Sequence, residues 1–320
     1  MKVIYGVALW LSFPVFVFAQ AIDNTQSYKN INTDSYFRII YENDFFTQAD
    51  IYYTQGINLE LVAPWVRKFP LSKLLINPDY SYKRYGITVE HDAYTPTNIS
   101  PTKILYGDRP FTAALFLKTF CIETDPEYKQ RFSSTLSTGV LGQAAFGAEM
   151  QTGIHHALHD LPPHGWPNQI HNDAVLNYEV GYEKQLVAMP KYFLLDADGK
   201  ATAGTLSDKA GVGLTAMAGY FDNPFSADIV RRKGARIYAY DHADAFAIGY
   251  DATMQGGLFN HTSPYTISAS NIQRAVVENR FGFVFNYHKL YVAYFQTFLS
   301  SEFKGGADHR WGGIEIAFGL

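Results

Sequence analysis

Near its C-terminal end the chain runs Ile314-Glu315-Ile316-Ala317-Phe318-Gly319-Leu320, and this stretch decides the fold. Large apolar side chains occupy every second position, and small or charged residues lie between them. Such period-two alternation is typical of a β-strand with one apolar face. Upstream, Phe281, Phe283 and Phe285 repeat the pattern, and Tyr287-His288-Lys289 reads as the turn to a returning strand. We therefore predict an all-β chain.

The same alternation extends through most of the chain and predicts about 12 strands. Roughly ten to thirteen runs approach the length that a tilted membrane-crossing strand needs. Besides those near the C-terminus, they are Tyr36–Glu42, Gly56–Val62, Arg84–His91, Ala113–Glu123, Phe132–Val140, Asn177–Val187, Gly211–Tyr220, Ala235–Tyr240 and Phe246–Gln255. Aspartate-rich segments predict tight turns at Asp196-Ala197-Asp198-Gly199 and Asp241-His242-Ala243-Asp244.

The N-terminus reads as a secretory leader. Lys2 is its one charge, Val3 to Phe18 is almost wholly apolar, and small residues offer cleavage after Ala19 or Ala21. An uncleaved membrane anchor is the alternative, but Pro14 interrupts a run that is already short for a span. We predict a leader over residues 1–21 and one barrel domain over residues 22–320.

The amino-acid composition further narrows the class of protein to which the chain belongs. The formal net charge is −4, without blocks of one sign, which argues against nucleic acid as a partner. The 24 Phe, 23 Tyr and 4 Trp suit a membrane–water boundary, where amphipathic rings collect. An exported chain of alternating strands favours a closed antiparallel barrel in the bacterial outer membrane, since closure leaves no unpaired backbone in lipid. A large soluble β-sandwich is the alternative.

Two segments break the alternation. Residues 63–82, with three prolines, read as a connection. Residues 141–173 are longer: helix-forming residues over 144–158 predict a short loop helix, followed by the ordered loop Leu161–Gln169. A long loop on a rigid β scaffold is a common location for function.

The predicted loop helix carries candidate chemistry. Gln151 and His155 are four residues apart and share one helix face, whereas His156 points elsewhere. A neutral imidazole facing a polar cavity can take a proton from water. A surface histidine is the alternative.

A second group follows the first strand. Asp44 and the Thr54 hydroxyl are hard oxygen ligands that suit calcium, and Asn43 precedes Asp44. Asn43 and Asp44 can face one site only if the strand bulges or ends there. The alternative is a turn at Asn43-Asp44 with Thr54 as an ordinary strand residue.

Lys103 lies in the polar segment Tyr94–Lys103 and could bind a phosphorylated head group or an oxyanion, or be a solvated loop charge. The sequence has neither a Gly-x-Ser-x-Gly elbow nor a His-Glu-x-x-His helix, so a hydrolase of this kind would use activated water.

These segments, in this order and spacing, resemble the outer-membrane lipid A 3′-O-deacylases. The resemblance spans most of the chain after the leader and rests on Glu42-Asn43-Asp44, Tyr53-Thr54-Gln55-Gly56, Tyr94-Thr95-Pro96, Gly107-Asp108-Arg109-Pro110-Phe111, Gly139–Gly142 through Gln151 and His155, and Gly165-Trp166-Pro167-Asn168-Gln169. It implies a twelve-stranded barrel with its site near the outer rim, between the wall and a loop helix. It also implies calcium-dependent removal of the 3′-linked acyloxyacyl chain of lipid A.

The resemblance assigns roles residue by residue. The family's catalytic histidine falls on His155 and its helical glutamine on Gln151. Its Asn-Asp pair falls on Asn43 and Asp44, its threonine on Thr54, and, with a two-residue gap before Gly107, its lysine on Lys103.

The resulting hypothesis is a monomeric, calcium-dependent carboxylic ester hydrolase acting on lipopolysaccharide in the outer membrane. Asp44 and Thr54 would hold the ion, and His155 would activate the water. The alternatives are a porin or structural barrel in which residues 141–173 plug the channel, a soluble periplasmic β-protein that binds a ligand, and a barrel phospholipase with a serine nucleophile.

Overall fold

The structure is a computed structural model that describes residues 22–31, 33–47, 51–159, 161–226 and 234–320, so the leader predicted over 1–21 lies outside the described residues. The described chain forms twelve strands: β1 Tyr36–Asn43, β2 Tyr52–Val62, β3 Tyr82–Thr95, β4 Thr112–Asp125, β5 Gln130–Leu141, β6 Asp173–Met189, β7 Phe193–Gly204, β8 Ser207–Tyr220, β9 Ala235–Asp251, β10 Ala275–Tyr287, β11 Leu290–Leu299 and β12 His309–Gly319. Two α-helices, α1 Gly147–Leu158 and α2 Ala252–Gln255, lie in the connections. Short 3₁₀ helices span Ser27–Lys29, Asp44–Thr47, Pro64–Lys68, Pro70–Leu74, Gln143–Ala145 and Trp166–Asn168.

The strands close into one antiparallel barrel. Each strand pairs with its neighbours in sequence, and β1 pairs with both β2 and β12. At the seam Tyr36 lies opposite Gly319 on one side and Val62 on the other. Because the sheet has no edge, every strand finds backbone partners on both sides, as a lipid environment requires. The predicted twelve-stranded barrel is confirmed.

The alternation of the C-terminal strand sorts its side chains onto the two faces of the wall. Glu315 and Ala317 point inward and are fully buried, whereas Ile316 and Phe318 are 37% and 50% exposed on the outside. The other strands add to this outer apolar surface with side chains that include Leu59, Val89, Leu176, Val212, Leu214, Ile237, Phe281, Phe283 and Phe285. Such an outward apolar band is what the hydrocarbon core of a membrane solvates best.

The barrel interior is charged. Arg38 lies 2.7 Å from the Glu60 carboxylate and 3.5 Å from that of Glu315, and Arg280 lies 3.0 Å from Glu42. All five side chains are buried. Charges at this depth are tolerated when opposite partners compensate the loss of water. Residues 22–31 also enter this interior, where Ile22, Ser27 and Tyr28 are buried.

This charged interior explains two wrong predictions. The expected turns at Asp196–Gly199 and Asp241–Asp244 lie in the middle of β7 and β9, and β9 joins two runs that we predicted as separate strands. The interior carboxylates among these residues have polar partners: Asp244 lies 3.2 Å from Lys200, and Asp196 accepts from Ser27 Oγ at 2.9 Å. Aspartate favours turns in water, but here it is an inward-facing residue of a polar lumen.

The two rims of the barrel differ. One rim carries the short turns 126–129, 190–192 and 288–289 together with the segment 63–81, which is the predicted connection. The opposite rim carries the longer connections 96–111, 142–172 and 252–274, with α1 in the second and α2 in the third. Outer-membrane barrels keep short turns in the periplasm and long loops outside, so α1 lies at the outer rim. Within the described part of the chain, no helix combines the length and apolarity that would carry it across a membrane.

Candidate active site

A chain of hydrogen bonds joins α1 to the barrel wall. Gln151 Nε2 donates to Thr54 Oγ1 at 3.2 Å, and Asn43 Nδ2 donates to the Thr54 carbonyl oxygen at 2.6 Å. Trp166 Nε1 donates to Gln151 Oε1 at 2.7 Å. Thr54 lies at a register shift in the pairing of β2 with β3. At this irregularity its carbonyl oxygen accepts from Asn43 while its hydroxyl accepts from Gln151. Three of the predicted site residues, Asn43, Thr54 and Gln151, therefore meet.

This meeting point lies on the outer face of the wall. Arg38 and Glu42 point into the lumen, so Asn43, one residue further, belongs to the opposite face. Below α1, a buried apolar cluster joins wall residues to the 96–111 and 142–172 connections, with members Ala93, Phe111, Ala113, Ala145 and Trp166. The helix thus packs against the outside of the barrel near the outer rim, where membrane lipid has access.

His155 lies one turn beyond Gln151 on the same helix face and is half-buried. Its Nδ1 lies 2.6 Å from the Leu161 carbonyl oxygen. A carbonyl can only accept, so in the neutral form of the imidazole this contact places the proton on Nδ1 and leaves Nε2 as the acceptor. That tautomer is the one a general base needs. His156, its neighbour, is exposed.

Asp44 begins the 3₁₀ helix Asp44–Thr47 directly after β1 and is 4% exposed. The strand ends at Asn43, which removes the constraint that consecutive strand residues face apart. Asp44 and Thr54 are both buried and offer one anionic and one neutral hard oxygen, a donor set that fits calcium better than softer metals. Calcium takes six to eight oxygens, so water or substrate would complete the set.

Lys103 lies apart from this group. It is exposed in the 96–111 connection and lines an open cavity of about 1010 Å³ together with Tyr52, Tyr106 and Asn168. None of the other five predicted site residues lines that cavity. Asn168 also lines the cavity, and its Nδ2 donates to the Thr102 carbonyl oxygen at 2.8 Å, which joins the 96–111 connection to the 142–172 connection that carries α1.

The sequence did not predict the groups that hold the predicted site residues in place. Trp166 belongs to the Gly165–Gln169 motif, for which no role was predicted, and its indole N–H donates to Gln151. Gln55 Nε2 lies against Met150 Sδ and 3.4 Å from His91 Nδ1, which adds a second link between β2 and α1. The Leu161 carbonyl carries no sequence signal, because any residue supplies a backbone oxygen.

A second cluster lies inside the barrel. Ligand atoms of Asp198, His242 and Asp244 all fall within 4.8 Å of one another, an arrangement that can hold a metal ion. His242 Nε2 is 2.7 Å from Asp244 Oδ2, and Lys200 Nζ is 3.2 Å from the same oxygen. The Lys200 ammonium thus already compensates Asp244, and the mixed nitrogen and oxygen donors of this cluster differ from the oxygen donors of Asp44 and Thr54.

Closed strands, an outer apolar band, a charged interior and a loop helix on the outer face define an outer-membrane barrel protein. The chain belongs to the family described as "Outer membrane protein LpxR", whose model matches residues 4–320. No curated protein matches the sequence. Among solved structures, LpxR from Salmonella typhimurium is similar with a TM-score of 0.74 and 19% identity, covering 89% of this chain and 100% of that one. The β domain of the Bordetella autotransporter BrkA gives a TM-score of 0.48 at 7% identity, covering 91% and 100%.

Proposed function

We propose that this chain is a lipid A deacylase of the outer membrane. In this proposal it is a monomeric carboxylic ester hydrolase, exported through a cleaved leader, that removes the 3′-linked acyloxyacyl chain from lipopolysaccharide. Membership of the LpxR family supports the class of activity. One observation carries the proposal: the Gln151–Thr54 hydrogen bond anchors a histidine-bearing helix to the lipid-facing side of the wall.

Exposed apolar side chains around α1 support a lipid substrate. Phe45, Phe146, Leu158 and Leu161 are between 56% and 78% exposed beside the candidate site. In water such a set is costly, whereas acyl chains would cover it. The substrate could then react without leaving the outer leaflet.

The chemistry assigned to this site is hydrolysis by activated water. His155 Nε2 takes a proton from water, and the water oxygen bonds to the ester carbonyl carbon. The resulting oxyanion collapses, the bond to the sugar oxygen breaks, and that oxygen takes a proton from the imidazole. The products are a fatty acid and a sugar hydroxyl, so atoms and charge balance. The hydrogen bond to Leu161 holds the imidazole in the required tautomer.

The other residues of the site position the reacting groups or stabilise the charge that develops on the ester. Gln151 and Asn43 orient the helix, the water or the ester, and Lys103 would bind a phosphate of the head group from its open cavity in the 96–111 connection. Asp44 and Thr54 would hold calcium, which when bound supplies positive charge for the oxyanion.

Mass spectrometry of lipid A tests the proposal. Cells that make the protein should lose the mass of the 3′-linked acyloxyacyl chain, and cells that make His155→Ala should not. His156→Ala, one residue away and exposed, is the matched control and should act like the unaltered protein. The proposal is wrong if lipid A is the same with and without the protein, provided that purified protein in detergent micelles with calcium also leaves lipid A intact.

A further inference from the structure

The segment that precedes β1 lies inside the barrel. Residues 22–31 and 33–35 lead from the first strand back into the lumen, and Ile22, Ser27 and Tyr28 are at most 2% exposed. A polar N-terminal segment has no intrinsic reason to be buried this completely. Its contacts with the wall must therefore compensate the ordering of the chain.

These contacts come from strands all around the barrel, so the segment runs near its axis. Six of its residues each contact a wall residue on a different strand. The pairs are Ile22 with Lys118 on β4 at 2.7 Å, Asp23 with Lys200 on β7 at 3.1 Å, and Asn24 with Asn58 on β2 at 3.1 Å. The others are Ser27 with Glu183 on β6 at 2.6 Å, Tyr28 with Tyr238 on β9 at 2.9 Å, and Lys29 with Glu315 on β12 at 3.2 Å. We call residues 22–31 the lumen segment. Because these contacts are spread around the wall, the lumen segment does not lie against one side of the barrel.

The lumen segment meets a carboxylate at its first described residue. The Ile22 backbone nitrogen donates to Glu90 Oε1 at 3.1 Å, and Lys118 Nζ donates to the same oxygen at 2.7 Å. Asn58 Nδ2 donates to the other carboxylate oxygen at 2.5 Å. Glu90 is fully buried, and so nearly is Asp92, two residues along the same inward face of β3.

Charge at this point is unbalanced if Ile22 lies within a longer chain. Glu90 and Asp92 bring two negative charges. Lys118 contacts Glu90 with one positive charge at 2.7 Å, whereas Asp92 accepts from the neutral Tyr53 hydroxyl at 3.1 Å. A backbone amide adds none. An α-ammonium group at Ile22 would add the second positive charge, since such groups are largely protonated at neutral pH. Buried carboxylates that lack a partner are strongly destabilising, so this charge matters.

Beside Ile22, Asp23 and Lys118 the lumen leaves a cavity of about 60 Å³. That volume holds a few water molecules, which would hydrate an ammonium group at Ile22. Of the two cleavage sites that the sequence offers, the one after Ala21 creates an amino group at Ile22, whereas the one after Ala19 creates it two residues earlier.

We propose that the mature protein begins at Ile22 and that Glu90 is a built-in receptor for its α-ammonium group inside the barrel. Removal of the leader then completes the ion cluster of Glu90, Asp92 and Lys118. The same event anchors the lumen segment along the barrel axis.

The experiment uses full-length protein purified from the outer membrane. Sequencing of the first residues should give Ile-Asp-Asn. Native protein is then treated at neutral pH with an amine-acylating reagent, unfolded, digested and mapped by mass spectrometry. The Ile22 α-amine should be acylated at least about tenfold more slowly than in urea-unfolded protein, because only local opening exposes it. A chain that begins at another residue, or an amine that reacts as fast folded as unfolded, overturns the proposal.

Two variants distinguish a specific pair of Glu90 with the α-ammonium group from protection of that group by burial alone. Glu90→Gln should raise the native reactivity of the α-amine severalfold. Glu183→Gln removes the charge of another wall carboxylate that contacts the lumen segment, at Ser27, and should leave that reactivity unchanged. Equal effects of both variants would mean that Glu90 has no special role. Heat-dependent gel mobility shows whether each variant is folded, and the start residue and reactivity of unaltered protein decide the matter if either variant fails to fold.

Discussion

Gln151 on α1 and Thr54 on β2, 97 positions apart in sequence, share a hydrogen bond of 3.2 Å between two buried side chains. The bond fixes the angle at which the helix presents His155. Thr54 also accepts from Asn43 through its backbone, so one residue joins the strand end, the wall and the helix.

Breaking that bond should lower activity without unfolding the barrel. Thr54→Val keeps the shape and removes the hydroxyl, and Gln151→Leu removes the amide. We expect each to reduce kcat/KM for lipid A by about 10²-fold, because small displacements of a catalytic group carry costs of that order. The double variant should be little worse than Thr54→Val alone, since both substitutions remove the same bond and Thr54→Val also removes a proposed calcium ligand.

Thr152→Val is the control for this pair, because Thr152 is exposed on the same helix. It should leave kcat/KM unchanged. Additive losses in the double variant would contradict a shared role for Gln151 and Thr54.

Trp166 should act through Gln151. Its indole N–H is 2.7 Å from Gln151 Oε1, and its ring is buried against Phe111, with 5.1 Å between ring centroids. Trp166→Phe keeps an aromatic ring but leaves the amide oxygen without this donor. We expect roughly tenfold lower kcat, with a loss of stability of about 1–3 kcal/mol. Trp65→Phe, at an exposed tryptophan of the opposite rim, should change neither kcat nor stability.

The sequence was sufficient for the wall of the barrel because one physical rule governs it. Lipid outside and a polar interior impose alternation, and Ile314–Leu320 shows it plainly. The rule failed where the interior is polar: Asp198 lies 3.8 Å from His242 and Asp244 lies 3.2 Å from Lys200 inside the lumen, and local composition cannot distinguish such residues from a turn.

The candidate site was predictable only in part. Gln151 and His155 share a face by helix geometry, and their relation to Thr54 came from a family resemblance. The Leu161 carbonyl and the lumen segment had no pattern to reveal them. Both depend on hydrogen bonds of backbone atoms, such as that of the Ile22 nitrogen with Glu90. Every residue has these backbone atoms, so only the folded chain shows which of them are used.

Calcium removal should abolish activity reversibly if Asp44 and Thr54 hold the ion. Protein treated with a chelator should lose deacylation and regain it when calcium is returned. Asp44→Asn removes the anionic ligand and should raise the calcium concentration for half-activity by about tenfold or more, because ligand charge sets calcium affinity. Asp79→Asn, an exposed carboxylate at the opposite rim, is the control. Full activity of the chelated protein would rule out a calcium requirement.

Glu302 should make the outer rim sensitive to pH. It forms a buried ion pair with Arg109, whose guanidinium also donates to Thr253 Oγ1 at 2.7 Å, so the pair joins three connections of the outer rim. Burial raises the pKa of Glu302 from 4.5 to about 7, against the opposing effect of Arg109. The folded state therefore holds a proton that the unfolded state has released, and stability should fall as pH rises from 4.5 to 7 and then level off.

Urea unfolding in detergent between pH 4.5 and 8 tests this effect, which is at most about 3 kcal/mol. Glu302→Gln should remove that part of the pH dependence. Glu127→Gln, at an exposed glutamate of a short turn, should keep it. An unchanged profile in Glu302→Gln would show that the carboxyl ionises normally.

The lumen segment should keep the barrel closed to ions. Its contacts with the wall, such as Lys29 with Glu315 and Asp23 with Lys200, occupy the space that a water-filled channel needs. In planar bilayers the complete protein should therefore show no stable conductance steps. A chain lacking residues 22–31 but keeping the leader should conduct if it folds, because the charged residues of the wall would then face open water. Steady conductance of the complete protein would favour a porin and would show that the segment leaves the lumen in a membrane.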